Sequence, residues 1–278
     1  MSNALSLQHG PFGRAALYRL DRTMVTHAHR EAHLFFYVSG QAGAMSVAGR
    51  ALTVDPLNAV AVSPWEPHSF EPCPKGSGLY LVLYIRPEWF ATIESFGKPT
   101  FRFGRPLISL TPSTVHWVQR LSDMLVTNEK TSDVDEALYQ TMDRCFHLSW
   151  NGHPDRQGTR QQTDRRICSA LELLDRNYTT DVDMDWLARA SALSRPHFFK
   201  LFKQETGVTP NIYLNTLRSE HAIGDLLDTP KSVTEISLDL GFSSQASFTR
   251  FFCSNVGITP TEYRRVAEIP EIKPVRAH

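Results

Sequence analysis

Two stretches near the end of this chain of 278 residues are copies of one another, and that duplication constrains the fold more than any other feature. SRPHFFKLFKQETGVTPNIY runs from Ser194 to Tyr213, and SSQASFTRFFCSNVGITPTEY from Ser243 to Tyr263. At an offset of 50, Ser194 falls on Ser244, Phe198 on Phe248, Lys200 on Arg250 and Phe202 on Phe252. Gly207 falls on Gly257, Thr209 on Thr259, Pro210 on Pro260 and Tyr213 on Tyr263. Upstream, the same offset puts Trp186 on Ile236 and Ala188 on Leu238. Whatever one copy forms, the other must form as well.

Each copy reads as a short helix, a tight turn and a longer helix. In the first, Val182, Trp186, Leu187 and Ala190 recur at helical spacing over 182–190. Asp181, Asp183 and Asp185 place acids in the first turn, where the helix dipole favours them. Ser191 to Ser194 is the turn, and Ser194 is the expected N-cap of the next helix. There Phe198, Leu201 and Phe202 make one apolar stripe, closed by Gly207 with Pro210 just beyond. In the second copy Val233, Ile236 and Leu240 precede a turn around Gly241 to Ser244, and Phe248, Phe251 and Phe252 form the stripe. Such a unit is a helix-turn-helix.

The opposite face of each second helix carries the functional signal. In the first copy it holds Arg195, Pro196, Phe199, Lys200 and Lys203, with no acid before Glu205. In the second it holds Gln245, Ala246, Thr249 and Arg250. Arg and Lys donate to guanine edges or phosphates, Gln pairs with adenine, and small methyl groups suit thymine. A single copy would pass for an ordinary solvated face; basic residues at matched positions in two copies argue against that. Residues 211–227 read as a connecting helix that would fix the spacing of the two units. Entry into successive major grooves needs about 34 Å between the recognition helices.

These residues closely resemble the signature of the AraC/XylS family of transcription regulators, over about Arg165 to Val266. The most specific part is the stretch from Gly241 to Phe252, followed by Gly257 to Arg264. The resemblance implies recognition helices at Ser194–Gln204 and Ser244–Asn255. It implies base-facing Pro196, Phe199, Lys200, Gln245, Ala246, Thr249 and Arg250, and phosphate-facing Lys203 and Arg264. Ala192 stands where the family often has Gly, Ser237 where it usually has Ala, and Cys253 where a basic residue is common. The partners so implied are double-stranded DNA, a small-molecule effector, a second copy of the chain and, for an activator, RNA polymerase.

The first half has a different period. From Tyr18 to about Ser109, stretches such as HLFFYVSG and GLYLVLYI are short, apolar and punctuated by Gly, Pro and Asn, the pattern of a β-barrel or sandwich. The combination resembles the cupin-like sensor domain of many AraC-type regulators. His27-x-His29 with a later His68 resembles a metal-binding cupin pattern, with His33 where a metal cupin usually has Glu. Three readings stay open for these four histidines: metal ligands, the lining of an effector pocket, or plain structure. Phe35, Tyr37, Trp65 and Glu66 are weaker lining candidates. Beyond Thr111, Val115, Val118, Leu121, Met124 and Leu125 form one helical stripe, and Val134, Leu138, Met142 and Phe146 another. This hairpin would pair with a second chain or pack on its own barrel; the pattern does not choose.

The expected architecture is therefore α+β in two domains. A cupin-like β-barrel with a helical hairpin spans 1–150, a polar linker 151–164, and an all-α domain with two helix-turn-helix units 165–278. Lys plus Arg equals Asp plus Glu at 29 each, so the nucleic-acid reading rests on local pattern alone. No apolar run approaches the ~20 residues of a bilayer span, and the first residues lack the layout of a signal peptide, so a cytoplasmic, non-membrane protein is expected. Cys73, Cys145, Cys168 and Cys253 form no CxxC pair and are expected reduced. No nucleophile elbow or phosphate loop is present, so no enzyme and no cofactor is expected. The enzyme alternative would be a metal-dependent cupin oxygenase fused to a DNA-binding module.

Overall fold

The computed structural model describes residues 2–91, 101–127, 131–151 and 164–267. Its strands are β1 (Asn3–Gly10), β2 (Gly13–Leu20), β3 (Met24–His27), β4 (Ala32–Gly40), β5 (Ala44–Val47), β6 (Arg50–Thr53), β7 (Asn58–Val62), β8 (His68–Glu71), β9 (Gly78–Ile85) and β10 (Leu107–Ser109). A six-stranded sheet has the order β1-β2-β9-β4-β7-β10, and a four-stranded sheet the order β3-β8-β5-β6. All the pairings are antiparallel. The edge strand β1, upstream of the barrel boundary read at Tyr18, pairs with β2 through Asn3–Arg19 to Gly10–Gly13. Its alternation is weak because Gln8 and His9 interrupt the apolar positions.

Strand β9 shows why the central strands are apolar throughout. Tyr80, Val82 and Tyr84 point between the sheets, while Leu81, Leu83 and Ile85 point outward. The outward set is covered by α2 (Pro112–Thr127) and α3 (Thr131–Trp150), which follow the short α1 (Pro87–Ala91). Val118, Leu121, Met124, Leu125, Val134, Leu138 and Met142 are buried there with Leu81, Leu83 and Phe36. The stripe of the hairpin thus closes the chain's own sheet. That surface is spent, and a second copy cannot use it.

The C-terminal helices are α4 (Arg165–Asn177), α5 (Met184–Ala190), α6 (Arg195–Thr206), α7 (Pro210–Asp228), α8 (Val233–Asp239), α9 (Gln245–Val256) and α10 (Pro260–Ala267). Most of the linker expected at 151–164 lies outside the described residues; its last residue, Asp164, caps α4 by accepting from the Arg166 amide. Asp183 likewise caps α5, so only Asp185 sits in that helix's first turn. Ser232 and Glu235 form a capping box on α8, and Ser244 caps α9 through the Ser247 amide. Ser194 takes the N-cap position of α6 without a side-chain cap bond.

Two domains were expected, yet two apolar clusters cross the boundary between them. Tyr18, Leu20, Met24 and Tyr84 of the barrel are buried with Phe248, Phe252, Val256 and Tyr263 of the second repeat. Ala28 is buried with Phe198, Phe202, Tyr213 and Leu217 of the first. Each repeat fills part of its core with barrel residues.

Candidate nucleic-acid interface

The two repeats superpose, but the shift between them changes part-way. Asp183 and Ser232, the caps of α5 and α8, are 49 residues apart; Ser194 and Ser244, at the starts of α6 and α9, are 50 apart. Burial agrees, because Leu187 pairs with Ile236 and Ala188 with Ser237, all buried. The pairing of Trp186 with Ile236 is corrected accordingly: Trp186 is 42% exposed and Leu238 60%. The extra residue lies in the second turn. There Gly241 at φ 76° takes the place of Ala192 at φ 54°, and both are left-handed.

Behind α6 and α9 the aromatic stripe is buried as the spacing requires: Phe198 and Phe202 in α6, Phe248 and Phe252 in α9. Phe251 is only partly buried, against Phe242 at 5.0 Å between ring centroids. Gly207 at φ 81° and Gly257 at φ 92° end the helices, their amides bonded to the carbonyls of Lys203 and Cys253. Helix α7 joins the two units over 19 residues, with Thr209 as its cap.

Pro196, Lys200, Lys203, Gln245, Ala246 and Arg250 are exposed along the outer faces, and Phe199 and Thr249 are half-buried beside them. Some of these side chains are already engaged. Arg195 pairs with Asp185 at 2.7 Å and lies over the Phe199 ring. Gln245 accepts from Thr234 at 2.7 Å, and Arg250 donates to Ser247 at 3.2 Å. Arg264 is half-buried; its Nε donates to the Leu226 carbonyl of α7 and its Nη2 is buried. In the free chain this residue, read as a phosphate contact, braces α10 against α7.

A helix-turn-helix domain family matches residues 187–266, the span from the middle of α5 to near the end of α10. Residues 187–266 therefore carry a helix-turn-helix domain. The chain is 29% identical over 191 residues to an uncharacterized HTH-type transcriptional regulator of Staphylococcus aureus strain N315, covering 66% of this chain and 25% of that protein. A Haemophilus influenzae protein of the same description is 29% identical over 102 residues, covering 37% of this chain and 34% of its own. The chain therefore spans about a quarter of the length of the staphylococcal relatives it matches. Among solved structures, apo ToxT K231A from Vibrio cholerae superposes with a TM-score of 0.59 at 14% identity, covering 91% of this chain and 96% of that one. At that identity the likeness concerns the fold, and it extends over both halves of the chain.

The structure also brings the four barrel histidines together. His27, His29, His33 and His68 are all buried, with ring centroids 4.2 Å apart for His27 and His68 and 4.4 Å for His33 and His68. Burial holds all four rings well toward the neutral form, His27 down to about 4. The aromatic lining candidates lie elsewhere: Phe35 packs on Phe70 and Tyr80, and the Tyr37 hydroxyl donates to Gly40 at the far end of β4. Trp65, at φ 61°, stacks on Tyr213 of α7 at 4.8 Å. The Glu66 carboxylate turns back to accept from the Ser63 amide.

The junction between the halves carries residues that sequence patterns did not single out. Arg14 is buried and donates to the Tyr263 hydroxyl at 3.1 Å, pairs with Glu31 at 3.3 Å and lies 3.7 Å over the Tyr84 ring. Because Arg14 can only donate, the Tyr263 proton is left for His9 Nε2 at 3.3 Å. Beside this network is a cavity of about 340 Å³ between barrel and α7, lined by Arg14, His29, Arg86 and Ser219 among others. No motif spacing flags Arg14, since its partners lie up to 249 positions away.

Proposed function

We propose that this protein is a DNA-binding transcription regulator that reads a duplex with α6 and α9 and responds to an effector held in its N-terminal half. The observation that carries the reading is the duplicated unit: two capped helices of equal length, each presenting a polar, acid-poor outer face on a buried aromatic stripe. The family match and the relatives described as transcriptional regulators support it. Lys200, Lys203, Gln245, Ala246, Thr249 and Arg250 are the contacts offered, with Pro196 and Phe199 suited to thymine methyls. Arg195 joins them by leaving Asp185. One of the structures similar in fold is of ToxT with an unsaturated fatty acid bound, which supports an effector for this fold.

Selection of the purified chain against random duplex DNA tests the reading. The expected product is two short boxes about one helical turn apart. Affinity for the recovered site should fall linearly on a log–log plot against salt, as counterions are released. No enriched sequence together with no binding at low salt, with and without candidate effectors, would remove it.

A further inference from the structure

The histidine pocket contains more unmet bonding capacity than a merely structural core leaves behind. The His29 Nε2, both ring nitrogens of His33 and His68 Nε2 are buried without a partner. Buried polar atoms in native proteins almost always have one, so four together mark a place where something else binds. Two of the rings are also oriented. His27 Nδ1 lies 2.6 Å from the Val25 carbonyl and His68 Nδ1 2.8 Å from the Glu66 carbonyl. A carbonyl only accepts, so both Nδ1 atoms carry the proton and both Nε2 atoms present a lone pair. This is how proteins prepare imidazole for a metal.

The donor set narrows the ligand. One ring nitrogen from each of His27, His29 and His68 lies within 4.8 Å of the other two, close to the ~4.2 Å that two bonds to one ion span at most. The nearby acid, Glu31, is engaged by Arg14, and Glu66 by the Ser63 amide. Neutral nitrogen donors without carboxylates suit zinc, cobalt, nickel or copper, and disfavour magnesium and calcium. His29 also lines the cavity between the halves, which supplies an entry path.

The same segment seats the C-terminal domain. Ala28, between two of the ligating residues, packs in the core of the first repeat, and its carbonyl accepts from Thr216 of α7 at 2.9 Å. The His29 carbonyl accepts from the Trp65 amide, whose ring stacks on Tyr213. Arg30 closes the set with an ion pair to Glu220 at 3.1 Å. Drawing His27 and His29 round an ion therefore moves the surface on which α7 rests, and α7 joins the two recognition units.

We propose that His27, His29 and His68, with His33 beside them, bind one divalent transition-metal ion of the zinc type, and that its occupancy is transmitted through residues 28–30 to helix α7. The transmission rests on the regulator reading above; the metal site does not. The full chain, stripped with a chelator, is titrated with Co2+ and followed by its visible absorption, with Zn2+ as competitor. One ion per chain is expected, with affinity at least about tenfold weaker in His68→Gln, the scale that even outer-shell changes reach. His33→Gln is the second variant if His68→Gln does not fold. A spectrum that never saturates, or that both variants leave unchanged, overturns the site.

Binding to the selected duplex is then compared in the stripped and Zn2+-loaded states. A change of at least about fivefold is expected, falling toward none in Thr216→Val while the Co2+ spectrum persists. Loaded and stripped chains of equal DNA affinity overturn the coupling. Absence of DNA binding in both states overturns the regulator reading, and the Co2+ titration still decides the site.

Discussion

Arg250 and Arg195 are both basic residues on the proposed recognition helices, but they start from different states. Arg250 is exposed and holds only the Ser247 hydroxyl, so it reaches a base at little cost. Arg195 must first give up Asp185. Arg250→Ala should weaken binding to the selected site by about 1–3 kcal/mol and relax one base pair, read by fluorescence anisotropy. Arg195→Ala should cost less, and the reverse order would displace Arg250 from its assigned role. At the junction, burial, followed by the charges of Arg14 and Arg86, lowers the His9 ring to about 4. Unfolded, it titrates near 6.5, so between those values the unfolded chain holds more protons. Stability is therefore full above about pH 6.5 and falls by up to ~1.4 kcal/mol per pH unit for this group as pH drops toward 4. The four pocket histidines, lowered in the same direction, add to the loss. A melting temperature independent of pH from 7 to 5, with chelator present, would contradict this.

At the scale of elements, the two turns test how much backbone strain the duplication tolerates. Ala192 holds a left-handed conformation that costs a side-chain-bearing residue roughly 1–2 kcal/mol, whereas Gly241 holds it freely. Ala192→Gly should stabilise the chain by about 1 kcal/mol in urea unfolding, less whatever the unfolded state gains in entropy. Gly241→Ala should destabilise by more than that, because its Cβ would collide with the Thr179 carbonyl oxygen. Equal effects at the two positions would refute the pairing of these turns. Helix types and the aromatic stripes were legible because local spacing dictates them, whereas the one cap read from the sequence, Ser194, makes no side-chain cap bond. The face of α5 was not: Trp186 is the largest apolar residue there, yet it lies exposed while Leu187 and Ala188 are buried. A helix of 7 residues is too short for its period to select one face over its neighbour.

For the whole molecule, the shared core makes the halves energetically dependent. Phe252 in α9 is fully buried in a cluster that includes Tyr18, Leu20 and Met24. Phe252→Ala should cost about 3–5 kcal/mol and lower the melting of barrel and helices together. Calorimetry of the unaltered chain should show one cooperative transition. Two well-separated transitions would show that the cores are independent. The same dependence would give the proposed effector a route from one half to the other through packed side chains and a few hydrogen bonds.

The strand or helix character of each half, the duplication and the grouping of the four histidines were legible in the chain alone, because spacing within an element and repetition along the sequence both survive in one dimension. What covers the outer face of the six-stranded sheet, where Arg14 and Arg264 point, and whether the halves share a core were decided only by tertiary structure. These depend on partners far apart in the chain, such as Arg14 with Tyr263 and Ala28 with Thr216. Burial makes those contacts strong, but it leaves no period in the sequence to announce them.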